Sequence, residues 1–216
     1  MEVNEILAIA RNMVEERTDS LQNDVKRCVF GADVYTHTQA APFPALLYCF
    51  STIDLLGALY GGNAEGNSTK QSGNYMTEVM FYPEEKAFLL QQVFRHKIVH
   101  LAQPAPRSSI NESLIDKKIK GESARQLRAR LKDKISTGLY QWGIEHCDRV
   151  KHLVIEPLGK EGQDERFCLW VSIWSLVEDI VDSVYKPDGY MHRLENDDTL
   201  RKKFVKAYNQ IFETNL

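Results

Sequence analysis

Residues 44–60 are apolar nearly all the way round a helix: Leu46, Leu47, Phe50, Ile53, Leu55, Leu56 and Leu59 leave no polar face of useful width. Such a helix cannot lie on a surface and has to be enclosed by other elements. Pro42 and Pro44 punctuate its start and Gly61-Gly62-Asn63 stops it, so the chain is built around one short central rod. The apolar run Ala45–Tyr60 contains Asp54, and the next, Phe167–Val181, contains Glu178 and Asp179. Both are shorter than the ~20 residues that cross a bilayer, so no membrane partner is expected. Glu2, Glu5, Arg11, Glu15, Glu16 and Arg17 interrupt the N-terminus, which does not read as a secretory signal.

The rest of the chain supplies material to enclose that rod. Ile6, Ile9, Ala10, Met13 and Val14, extended by Leu21, Val25 and Cys28, form one stripe and predict a helix over 3–28. Residues 31–42 read as a loop. A helical block covers 74–101, with a break near Pro83, and ends before a loop at Gln103–Ser109 that holds Pro104 and Pro106. Residues 110–136 carry a narrow apolar stripe interrupted at Gly121. After Gly138 the composition turns to Val, Ile, Leu and aromatics. Lys151–Leu158 and Arg166–Ser172, separated by the polar turn Gly159–Glu165, predict a β-hairpin, with room for a third short strand at Tyr140–Ile144. Helices resume over Ile173–Tyr185 and, capped by Asn196 or Asp197, through Phe212. The expected fold is mainly α: a helical bundle with a small antiparallel β-hairpin element in the C-terminal half. Its 216 residues suit one domain, with a bundle core over 1–135, a β element over 139–172 and C-terminal helices over 173–216.

A net charge of −3 conceals an uneven distribution. Residues 107–134 carry nine Lys/Arg against four Asp/Glu, whereas the segments before and after each come to −4. A polyanion would meet a local patch rather than the whole molecule. Lys117, Lys118, Lys120, Arg125, Arg128, Arg130, Lys132 and Lys134 could follow a nucleic-acid backbone. No aromatics interleave them for base stacking, so a solvated helix face is the competing reading. The four cysteines have no metal-binding spacing, and Cys49 and Cys168 sit in apolar runs as small core residues. That usage fits a reducing, cytoplasmic setting.

One stretch carries chemistry. Arg95-His96-Lys97-Ile98-Val99-His100 places a guanidinium and an imidazole five residues apart at the end of an apolar helical pattern. On an unbroken helix the two point in different directions. They converge only if the helix frays near His100 or a second subunit contributes. The stretch resembles the motif of the HEPN family, the nucleotide-binding domains of higher eukaryotes and prokaryotes: an arginine, a polar neighbour, and a histidine after four to six residues. Arg95, His96 and His100 match those positions, and the resemblance covers roughly residues 1–135. It implies a helical bundle, a homodimer with two motifs in one cleft, and RNA or a nucleotide as partner. Many members of that family are metal-independent endoribonucleases, and others are inactive binding modules.

By that resemblance His100 would be the general acid/base, Arg95 would hold the scissile phosphate, and His96 would help orient it. The ribose 2′-hydroxyl would be the nucleophile, with neither metal nor cofactor. Lys117, Lys118, Arg125, Arg128 and Arg130 would hold the RNA. A structural reading stands beside this one: Arg95 pairs with a buried carboxylate and His100 closes a helix C-terminus. Asp54, a carboxylate on the most apolar helix, needs a partner; Arg95, Ser51 and backbone groups are the candidates, and with Arg95 it would either support the site by orienting the guanidinium for phosphate or form a structural ion pair. Glu178 and Asp182 share a helix face as a polar stripe. His146, Cys147 and His152 lack a fourth ligand for a metal.

Overall fold

The apolar rod is enclosed as its sequence requires. In the computed structural model, which describes residues 2–30, 41–101 and 107–214 with the side chains of His100, Leu101 and Ser123 set aside, α2 (Pro42–Gly61) contacts α1 (Val3–Phe30), α3 (Ser68–Glu78), α8 (Ile173–Tyr185) and α10 (Asp198–Phe212). Leu46, Phe50, Ile53 and Leu59 are fully buried. By length and composition α2 could cross a membrane; here the surrounding helices bury about half of it, 56% of its most apolar window. The loop expected over 31–42 lies, except for its last two residues, outside the described residues, as do Pro104, Pro106 and His37.

Two compact units form: residues 1–82 with 173–216, and residues 83–172. The first is all helical. A Cβ on Gly57 would stand 2.7–2.9 Å from backbone atoms of Gln71 and Ser72, so the bare glycine lets α2 and α3 approach closely. The stripe of α1 is buried through Ala10, Val14, Thr18, Leu21 and Val25. Tyr75, fully buried, exchanges a 2.8 Å hydrogen bond with Ser183, and burial pushes its phenol pKa up. Tyr82, the last residue before the second unit, donates to Asp179 of α8 at 2.7 Å. After α9 (Tyr190–Asn196), Asp197 caps α10 by accepting from the amides of Thr199 and Leu200.

The second unit opens with one helical run of three geometries: α4 (Glu84–Phe88), a π segment (Leu89–Arg95) and α5 (His96–Leu101). β1 (Arg107–Ile110), α6 (Glu112–Lys118) and α7 (Arg125–Lys134) follow, then β2 (Gly138–Glu145), β3 (Val154–Glu161) and β4 (Asp164–Ser172). The simple antiparallel hairpin read from sequence is instead a four-stranded mixed sheet of order β1-β2-β4-β3. β2 runs parallel to β4, and β1 and β3 are antiparallel neighbours at the edges. The hairpin is present as β3–β4, with its turn at Gly162-Gln163. Two features hid the rest. β1 falls almost wholly in the stretch read as the loop Gln103–Ser109 and buries only Ile110, and the β2–β4 pairing joins strands that are not consecutive in sequence. One face of the sheet is the core: Tyr140, Trp142, Leu169 and Val171 are buried, and Phe94 of the π segment meets Trp142 at 5.1 Å between ring centroids.

Candidate functional site

The Arg/His stretch lies at the C-terminal end of the helical run on the sheet. Phe94 and Ile98 are fully buried and anchor its inner side. Lys97 donates through Nζ to the carbonyl of Arg107, tying α5 to the edge strand β1, and burial lowers its pKa. The helix does not stop before the histidine: α5 continues through position 100 to Leu101. At ~100° per residue, backbone positions 95 and 100 stand about 140° apart around the axis. The side chain of His100 lies outside the described residues.

Arg95 is only 7% exposed, whereas His96 beside it is exposed. Within the motif the cation assigned to phosphate is thus the enclosed group, and its neighbour faces solvent. The π geometry was not legible in the apolar periodicity. It adds one residue to the turn, and such turns recur at functional sites. Gln91, four residues before Arg95, is fully buried, and among the described residues neither polar atom of its amide has a hydrogen-bond partner. Each unsatisfied buried polar group costs about 1–3 kcal/mol. Sequence reasoning passed over Gln91 because a lone glutamine in an amphipathic helix gives no signal of burial.

Asp54 belongs to the first unit and Arg95 to the second. Ser72 donates its hydroxyl to Asp54 at 2.5 Å, a partner not anticipated from sequence because α3 was expected to begin later, near residue 74. Ser51, considered as a partner, instead donates to the carbonyl of Tyr48 and accepts from Arg17 at 2.7 Å.

The basic residues divide into two groups. Arg128 donates to the carbonyls of Ile119 and Gly121, each at 2.9 Å, fastening the connection between α6 and α7. Arg130 forms a bidentate pair with Glu84 at 2.6 and 2.8 Å, and that contact holds the Glu84 carboxyl below its ordinary pKa. Lys132 pairs with Asp116 and Glu112, and Lys134 with Glu85. By contrast Lys117, Lys120 and Arg125 are exposed and Lys118 half-buried, all without an ion-pair partner among the described residues.

The remaining polar groups do not assemble. Glu178 and Asp182 are exposed on α8, and among the described residues no group of three or more His, Cys, Asp or Glu could hold a metal ion. Cys49 and Cys168 are buried, as expected, and burial raises both thiol pKa values. Models of known families, curated proteins and solved structures give no match to this chain.

Proposed function

We propose that this protein is a non-catalytic binding module: the second unit offers the α6–α7 basic group to an anionic polymer such as RNA, and Arg95 serves as a structural cation. One observation carries the reading. A guanidinium that is 7% exposed cannot take a phosphodiester without opening its surroundings. Lys117, Lys120 and Arg125, exposed, and the half-buried Lys118, all without an ion-pair partner among the described residues, offer charge at the surface. Neutralising phosphates releases counterions, so binding should weaken steeply with salt.

Two measurements test this. Total RNA incubated with the protein in EDTA should stay intact, and Arg95→Ala should lower the melting temperature. A fluorescent single-stranded RNA should bind with a salt slope that falls by about 0.7 for each contacting cation removed in Lys117→Gln, Lys118→Gln and Arg125→Gln. An unchanged slope in the triple variant rejects the basic group as the binding face.

A second reading keeps the metal-independent ribonuclease. What favours it is that Arg95 and His100 share one continuous helical run, with the exposed His96 between them. Here two copies would pair in the cytoplasm, His100 of one and Arg95 of the other serving one phosphodiester. RNA cleavage in EDTA that is lost in both Arg95→Ala and His100→Ala, at unchanged melting temperature, would select this reading over the first.

A further inference from the structure

The first unit contains a cleft that neither the Arg/His motif nor the basic group uses. It lies where the C-terminal end of α2 and the connection after it meet α3 and α10, with a volume of about 450 Å³, within the ~300–1,000 Å³ of small-molecule sites. Gly62, left-handed at φ 74°, ends α2, and a Cβ there would stand 2.8–2.9 Å from Lys203. The stem of Lys203 is therefore pressed against the turn, with its ammonium 5.9 Å from the centre of the Tyr60 ring.

The polar groups are unevenly matched. Asn67 accepts from the amide of Lys70 through its side-chain oxygen, which leaves its NH2 as a donor. Gln71 and Asn74 make no side-chain hydrogen bond among the described residues. Lys70 and Lys203 have no ion-pair partner there either. The one carboxylate on the wall, Glu78, already accepts from the Tyr60 hydroxyl at 2.7 Å. Burial and that carboxylate raise the phenol pKa and keep it neutral.

We infer that this cleft binds a small phosphorylated carbohydrate. Two ammonium groups without an ion-pair partner among the described residues suit a phosphate. Side-chain amides can donate to and accept from neighbouring hydroxyls, and the Tyr60 ring offers a flat apolar wall to a sugar's C–H face. A nucleobase would need a wider apolar slot than a lining with a single aromatic ring provides. The inference is independent of whether the second unit binds or cleaves RNA.

The test is calorimetric titration of the full chain with glucose 6-phosphate, inorganic phosphate and adenosine monophosphate. Glucose 6-phosphate is expected to bind with a Kd below about 1 mM and more tightly than the other two. The Lys70→Gln/Lys203→Gln double variant should weaken it at least about tenfold, while Lys206→Gln, exposed and outside the cleft, leaves it unchanged. In NMR spectra the side-chain NH2 signals of Gln71 and Asn74 should shift on binding. The inference is overturned by no binding at about 10 mM, by equal affinity of the double variant, or by inorganic phosphate or adenosine monophosphate binding as tightly as the sugar phosphate.

Discussion

Single residues decide more here than their sequence context suggests. Gln91 sits fully buried with both amide atoms unpaired among the described residues, a cost to the fold inside its π segment. Methionine has the same length and no polar group to desolvate. Gln91→Met is therefore expected to raise the melting temperature, by the equivalent of about 1–2 kcal/mol. A lowered melting temperature in thermal denaturation would mean that the amide is paired in solution. The motif is likewise settled residue by residue. Its spacing was legible, but the spacing could not reveal that Arg95 is enclosed while His96 is exposed. Burial is a property of what packs over a helix, and a six-residue string carries none of that. Asp54 shows the opposite limit: its need for a partner was legible in the apolar helix around it, whereas its bond to Ser72 depended on where the next helix began.

At the scale of elements, the strongest periodicities translated directly. α1, α8 and α10 match their apolar stripes because each buries a face long enough to repeat, and α2 matches its nearly continuous apolar run. The mixed sheet was only half legible: the β3–β4 hairpin is local, but β1 has four residues and one buried side chain. Close packing of α2 on α3 rests on Gly57, and overpacking such a contact costs about 1–3 kcal/mol. Gly57→Ala should lower the melting temperature accordingly, and an unchanged melt would show that the helices can part without loss.

α7 is fastened to α4 by Arg130 and Glu84. Glu84 titrates below its ordinary value in the folded protein, so its contribution is complete above the unfolded carboxyl pKa of about 4.3 and is lost as pH falls through the lowered one. Wild type and Glu84→Gln should thus differ in melting temperature near neutral pH and converge in acid. The half-exposed pair makes that difference small, and a gap that persists at low pH would contradict the assignment.

At the scale of the whole molecule, the second unit is one uninterrupted segment, 83–172, whereas the first is assembled from both ends of the chain. Segment 83–172 has its own sheet, its own helical run and a buried aromatic contact between them. Expressed alone, it is expected to give a helix-and-strand circular dichroism spectrum and a cooperative melt; a featureless, non-cooperative trace would count against its independence. Charge could be read at this scale from sequence, since the +5 excess of 107–134 falls wholly within that segment. The assembly of the first unit from both ends of the chain could not, because it joins residues about ninety positions apart or more.

The split origin of the first unit has a consequence for how the protein is made. Its central helix, α2, is synthesised early, yet α8 and α10, which cover it, emerge only after the intervening segment has left the ribosome. At ~5–20 residues per second that interval lasts several seconds. Throughout it the most water-averse stretch of the nascent polypeptide has α1 and α3 against it but lacks the part of its cover that α8 and α10 supply, so newborn chains should gain from chaperone shielding at that stage.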